Sequence, residues 1–164
     1  MNAFPDALHV AAVGAGATVV MDAWLAALSR MGVRTLDFAL VGRWVGHLAR
    51  GTVVHEAIAK APPVPRERAL GWIAHYGVGV AFAALLVVVA GAQWLLRPTL
   101  LPALAVGIGT VAAPLLVLQP AMGAGFFASK TASPLRSCMR SLATHAVFGA
   151  GLYLTAVCIA ALAR

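Results

Sequence analysis

The chain has 164 residues, of which 62% are hydrophobic and only 10% charged, and its mean hydropathy is +0.90. Such a chain has too little polar surface for a water-soluble globule, so the composition predicts one membrane domain over residues 1–164. The net charge of +7 comes from basic residues that lie between apolar runs rather than along one polar face, which argues against nucleic-acid binding.

Four apolar runs have the length of a membrane-spanning helix, at residues 7–29, 72–96, 99–118 and 142–163. Each is close to the roughly 20 residues that a helix needs to cross the hydrocarbon core of a bilayer. The second and third runs are separated only by Arg97-Pro98, and proline cannot continue the helix before it, so a helical hairpin with its turn there is expected. The predicted fold class is all-α, an integral membrane bundle of four transmembrane helices.

The basic residues divide unequally between the segments that connect these runs. Ten of the twelve Lys and Arg residues fall in residues 30–71 and 119–141, and only Arg97 and Arg164 lie elsewhere. With four spans the two basic segments lie on the same side of the membrane, and the positive-inside rule assigns that side to the cytoplasm. Both termini are therefore expected outside.

The first of these loops contains an amphipathic segment. Its apolar residues from Leu36 to Leu48 recur at helical spacing, whereas Arg43 and His47 fall largely elsewhere around the axis. This pattern predicts an interfacial helix on the inner leaflet, with Trp44 buried at the level of the lipid headgroups.

Three ionisable residues lie inside the predicted spans, where an unpaired ionisable group costs roughly 2 to 3 kcal/mol. They are Asp22, His75 and His145. The first span runs inward and the second and fourth run outward, so all three residues fall within roughly 5 to 10 Å of the inner interface. We therefore predict a histidine/aspartate site in the cytoplasmic half of the bundle, with His55 and Glu67 from the first loop as further candidates.

The chemistry of these side chains suits a metal ion or a cofactor. Imidazole and carboxylate groups bind Zn, Fe, Ni or Cu(II), so Asp22, His75 and His145, with His55 or Glu67, are candidate ligands of a metal ion. Haem b is the specific variant, in which His75 and His145 would be the two axial ligands.

Two glycines flank one of these histidines on the second predicted helix. Gly71, His75 and Gly79 follow each other every four residues, so the imidazole lies between two positions without a side chain. A cofactor or another helix can approach closely at such positions.

The same residues also allow a structural interpretation. Asp22 could pair with a basic residue such as Arg43, and His75 and His145 could each be neutral and bonded to the backbone or to a Ser or Thr hydroxyl; His47 is expected to be solvated. The chain would then be an accessory or scaffold subunit of a membrane complex. In a third hypothesis it is a small proton-coupled transporter, functional as a dimer, in which Asp22 and a histidine relay protons.

Catalytic motifs are not apparent. The sequence contains no nucleophile elbow, P-loop, HExxH motif or paired carboxylates, so soluble-type catalysis has no support and an enzymatic role stays open. The expected partners are the lipid bilayer and either further copies of the chain or a larger membrane complex.

Several short motifs resemble those of one bacterial family. They are Gly42-Arg43-Trp44, Gly51 with His55, Glu67 with the run from Gly71 to Tyr76, the run from Pro120 to Gly123, Ser129-Lys130, and His145 with Phe148-Gly149. With these motifs, and with Asp22 in the first span, nearly the whole chain resembles the DUF2938 family of small multi-pass inner-membrane proteins. The resemblance implies a location in the bacterial inner membrane, and it implies no established activity. The termini that the distribution of basic residues places outside would then be periplasmic.

Overall fold

The computed structural model describes the backbone of residues 3–162 and the side chains of residues 7–162, so Ala163 and Arg164 lie outside the described residues. The helices are α1 (Ala3–Arg30), α2 (Phe38–Leu48), α3 (Glu67–Ala90), α4 (Leu100–Gly109), a π-helix (Ala113–Leu118), α5 (Gln119–Ala121), α6 (Pro134–Leu162), and three short 3₁₀ helices at Ile58–Lys60, Ala92–Leu95 and Phe126–Ala128. No strand occurs in residues 3–162. The all-α prediction is confirmed.

Four helical stretches are long and apolar enough to cross a membrane, at Ala7–Arg30, Glu67–Ala90, Leu100–Ala121 and Pro134–Leu162. Their number agrees with the four predicted spans. Two of these helices begin earlier than the apolar runs, at Glu67 and Pro134. A run of apolar residues marks the part of a helix that can lie in lipid, whereas an acidic residue or a proline in the first turn marks where the helix itself begins.

The connection between the second and third spans is longer than the expected turn at Arg97-Pro98. Helix α3 ends at Ala90 because Gly91 adopts a positive φ of 84°, which a residue with a side chain rarely adopts. The 3₁₀ helix Ala92–Leu95 follows, and the Trp94 indole donates a hydrogen bond of 3.1 Å to the Thr99 carbonyl just before α4.

The chain contains two compact units. The first comprises Met1–Arg34, Tyr76–Thr110 and Thr144–Arg164, and the second comprises Thr35–His75 and Val111–Ala143. The core of the first unit is formed by fully buried apolar side chains of α1, α3, α4 and α6, among them Val13, Leu86, Ala103 and Leu152.

Small residues let the helices of the first unit pack with their backbones close together. A Cβ atom added at Gly107 of α4 would meet the backbone of Gly149 on α6, and one added at Gly151 would meet the Ala17 carbonyl on α1 at 3.0 Å. Close packing at small residues is a main source of helix association in membranes.

In the second unit, α2 packs directly against the start of α3. A Cβ atom at Gly42 would meet the Glu67 carbonyl, and one at Gly71 would meet the Phe38 carbonyl, so the two helix backbones touch. Helix α2 begins after Asp37, whose side chain accepts a hydrogen bond of 2.9 Å from Ala39 N and so caps the helix. The predicted amphipathic helix is present, and its interfacial position stays a prediction.

Candidate functional site

The loop between α2 and α3 is held by a turn that follows α5. The His55 amide donates to the Ala121 carbonyl at 2.8 Å, and the Ile58 amide donates to the Met122 carbonyl at 3.1 Å. Gly123 makes this contact possible, because a Cβ there would meet the Glu56 carbonyl and its φ is 95°. The Gln119–Met122 part of the predicted second loop is thus a helix end and turn that contacts the first loop.

Arg43 on α2 holds the same loop from the other direction. Its guanidinium donates from Nε and Nη2 to the two carboxylate oxygens of Glu67, each at 2.9 Å, in a bidentate ion pair. Its Nη1 atom also faces the carbonyls of Ile58, Ala59 and Ala61, at 3.4, 3.2 and 3.0 Å. The rigid fork of an arginine can make all of these contacts at once, whereas an ammonium cannot.

The electrostatics of Arg43 follow from this geometry. Its side chain is 13% exposed, and that of Glu67 is 20% exposed. The hydrogen bond to Glu67 raises the pKa of the Arg43 guanidinium above its usual value, although burial acts in the opposite direction. Arg43 is therefore a permanent cation, and its ion-pair partner is Glu67.

Two histidines of the second unit form a hydrogen-bonded pair. His47 Nδ1 lies 2.8 Å from His55 Nε2, and His47 Nε2 lies 3.0 Å from the Pro62 carbonyl oxygen. A carbonyl can only accept, so His47 Nε2 carries a hydrogen, and in the neutral ring Nδ1 then presents a lone pair to His55. His47 is thus half-buried and bonded on both ring nitrogens, whereas the sequence led us to expect a solvated side chain.

Buried polar atoms without a partner are few in the described part of the chain. They are His9 Nε2, His55 Nδ1 and Gln119 Oε1. His55 Nδ1 belongs to the histidine pair, so one end of that pair is fixed by the Pro62 carbonyl and the other end is unpartnered. An unpartnered buried polar atom has an energetic cost unless something binds there.

His145 on α6 is bonded inside the first unit. Its Nδ1 atom lies 3.0 Å from Thr110 Oγ1, and the same hydroxyl donates to the Gly107 carbonyl at 2.7 Å. Thr110 has only one hydroxyl hydrogen, which it gives to Gly107, so His145 Nδ1 is the donor of the other bond. This confirms the alternative in which His145 bonds to a threonine hydroxyl.

Asp22 on α1 also has a partner in the first unit. The Tyr76 hydroxyl of α3 donates to an Asp22 carboxylate oxygen at 3.0 Å. Nearby along α1, the Trp24 indole donates to Thr144 Oγ1 of α6 at 3.3 Å. These bonds join α1 to α3 and to α6.

His75 belongs to the second unit and lies among aromatic rings. Its ring centroid is 4.3 Å from that of Phe38 and 5.8 Å from that of Trp72. The flanking glycines are both occupied by helices, since Gly71 faces the Phe38 carbonyl of α2 and Gly79 faces Thr18 of α1. The sequence allowed either a cofactor or another helix to approach these glycines, and in the structure a helix lies against each of them.

Four of the candidate ligands have a hydrogen-bonded partner: Asp22 with Tyr76, His145 with Thr110, Glu67 with Arg43, and His55 with His47. Among the side chains of residues 7–162, no group of three or more from His, Cys, Asp or Glu is placed to hold a metal ion. A site shared by Asp22, His75 and His145 stays a prediction.

Comparison with known proteins identifies one family. The family described as "Protein of unknown function (DUF2938)" matches residues 11–159, which is most of the chain. The chain belongs to this family. The comparisons found no significant match among curated proteins or among solved structures. Membership in DUF2938 agrees with the motifs noted in the sequence, several of which lie in the contacts of Arg43, His55 and Glu67.

Some residues of these contacts were missed from the sequence. His47 was expected to be solvated because spacing along α2 does not show that the chain turns back after Gly51 and returns His55 to the same helix. Thr110 was overlooked because a threonine in an apolar run carries no periodic signal. A polar residue inside a predicted span was the one available indication.

Proposed function

We propose that the chain is an accessory or scaffold subunit of a membrane complex, in which the polar residues of the spans hold the helices together. The bond between His145 and Thr110 carries this proposal, because it uses an ionisable side chain to join α6 to the end of α4. Asp22 with Tyr76 supports it in the same way, by joining α1 to α3. Each bond satisfies a group that would be costly facing lipid.

Exposed apolar side chains on the spanning helices provide the surface for lipid or for a partner. Val88 and Val89 of α3 are 81% and 67% exposed, and Leu101 of α4 is 78% exposed. A face of this kind is suited to the bilayer interior or to helices of another subunit. Metal binding, haem binding and proton-coupled transport by Asp22, His75 and His145 stay predictions of the sequence analysis.

The native mass of the protein tests this proposal. The chain, tagged at its own chromosomal locus, is solubilised in a mild detergent, and the mass of the assembly is measured by light scattering with the detergent subtracted. We expect a mass well above the 16.8 kDa of one chain, and no haem band in the absorption spectrum. A mass of one chain would contradict the subunit role, and a stoichiometric haem band would contradict the structural role of the histidines.

A further inference from the structure

The histidine pair of the second unit has the features of a metal site. His47 Nδ1 and His55 Nε2 face each other at 2.8 Å, on a helix and on the loop that returns to it. Two imidazole nitrogens bound to one tetrahedral zinc ion, each at about 2.0 to 2.1 Å, lie about 3.3 Å apart. An ion could therefore replace the shared hydrogen if the two rings separated by about 0.5 Å.

The tautomer of His47 is already the one that a metal ligand needs. The Pro62 carbonyl accepts from His47 Nε2 at 3.0 Å, so Nδ1 presents its lone pair toward His55. A bond from the distal nitrogen to a carbonyl is the usual second contact of a histidine that binds metal, because it fixes the ring and increases its basicity.

His55 can adopt the complementary tautomer without losing a bond at its other nitrogen. Its Nδ1 has no partner among the described residues, whether or not it carries the hydrogen. When an ion binds at Nε2, the hydrogen of that atom leaves and Nδ1 gains one, so the ring stays neutral and no net proton is released.

The location of the pair allows an ion to enter. Both rings are half-buried, and residues 48–54 beside them are exposed. Both histidines also lie outside the four stretches that could cross a membrane. Solvent can then fill the remaining coordination positions.

We propose that His47 Nδ1 and His55 Nε2 are two ligands of a site for a divalent transition-metal ion such as zinc. Imidazole favours Zn²⁺, Cu²⁺ and Ni²⁺, whereas Mg²⁺ favours oxygen ligands. The site is separate from the membrane-depth prediction of Asp22, His75 and His145, and it does not depend on the proposed subunit role. Bound metal would join α2 to the loop that Arg43 also holds.

Calorimetric titration of the detergent-purified full chain, without a histidine tag, tests this proposal. We expect Zn²⁺ to bind one site per chain and Mg²⁺ to give no such binding. His47→Gln and His55→Gln should each weaken Zn²⁺ binding by roughly tenfold or more, since each removes one of two protein ligands. His9→Gln is the matched control, because His9 is also half-buried with an unpartnered ring nitrogen, and its binding should equal that of the wild type.

Several results would overturn the proposal. One is that the wild type does not bind Zn²⁺. Another is that both variants bind Zn²⁺ with affinities within about twofold of that of the wild type. A third is that His75→Gln or His145→Gln, rather than these variants, abolishes Zn²⁺ binding. If the variants fail to fold, the wild type is treated with diethyl pyrocarbonate and the modified histidines are read by mass spectrometry. Zn²⁺ should reduce the modification of His47 and His55 and leave that of His9 unchanged; equal modification of His47 and His55 with and without Zn²⁺ would also refute the site. None of these outcomes depends on the native mass of the complex, which tests the proposed subunit role.

Discussion

Arg43 and Glu67 are joined by two parallel hydrogen bonds of 2.9 Å, and Arg43 also faces three carbonyls of the loop between them. The guanidinium therefore joins α2, the loop and the start of α3. Substitution of Arg43 removes all of these contacts, whereas substitution of Glu67 removes only the ion pair and a bond from the Val64 amide.

We therefore expect Arg43→Gln to destabilise the protein more than Glu67→Gln does. Arg43→Lys should not restore the stability, because an ammonium cannot make the bidentate contact. Thermal unfolding in detergent, followed by circular dichroism, gives the comparison, with Arg50→Gln as the control because Arg50 is exposed. A larger effect of Glu67→Gln, or full rescue by lysine, would show that the carbonyl contacts contribute little.

The contact of α2 with α3 predicts a strong effect of a single methyl group. Gly42→Ala and Gly71→Ala should each destabilise the protein by about 2 kcal/mol or more, because the added Cβ would meet backbone atoms of the other helix. Gly77→Ala is the matched control on α3, since a Cβ there meets nothing within 4 Å. That change should be neutral or slightly stabilising, given the higher helix propensity of alanine. Chemical unfolding in mixed detergent micelles measures all three, and equal stabilities would disprove the close contact.

The buried bond of the first unit predicts a difference between two substitutions at one position. Thr110→Val keeps the shape but removes the hydroxyl that accepts from His145 Nδ1, so it should cost about 1 kcal/mol, as is usual for such bonds in membranes. Thr110→Ser keeps the hydroxyl and should cost less. Unfolding midpoints of the two variants and of His145→Phe provide the test. If valine and serine are equivalent, the hydroxyl does not contribute to stability.

The orientation in the membrane stays a prediction from the distribution of basic residues. After Cys138 and Cys158 are replaced by serine, a single cysteine at Ala59 should be protected from an impermeant thiol reagent in intact cells. A single cysteine at Gln93, in the connection between α3 and α4, should react. Both Ala59 and Gln93 are exposed, so access to the reagent is not limited by burial. The reverse pattern would place the basic loops outside.

The fold class could be predicted because it depends on properties that a linear sequence displays. Apolar runs of spanning length predicted the four long helices, and helical spacing predicted α2. The end of α3 at Gly91 was missed because residues 92–96 are apolar enough to continue a span, whereas the break depends on the backbone conformation of one glycine.

The candidate site was less predictable because its partners lie far apart along the chain. Asp22, His145, Glu67 and His55 were recognised as chemically unusual, yet the sequence did not assign the partner that each of them has in the structure. Pairing across 24 to 54 residues, as for Arg43 with Glu67 and Asp22 with Tyr76, depends on how the helices pack. A single sequence carries no record of such contacts.

The touching backbones of Gly42 and Gly71 also set an order of events during synthesis. Helix α2 leaves the ribosome before α3 does, and at about 5 to 20 residues per second the partner glycine follows a few seconds later. During that interval α2 has no protein surface to cover Val41 and Gly42, which are buried in the finished fold. Because α2 is amphipathic, the lipid surface can cover its apolar stripe until the next span is inserted. The apolar stripe that predicted an interfacial helix thus also protects the face of α2 that finally packs against α3.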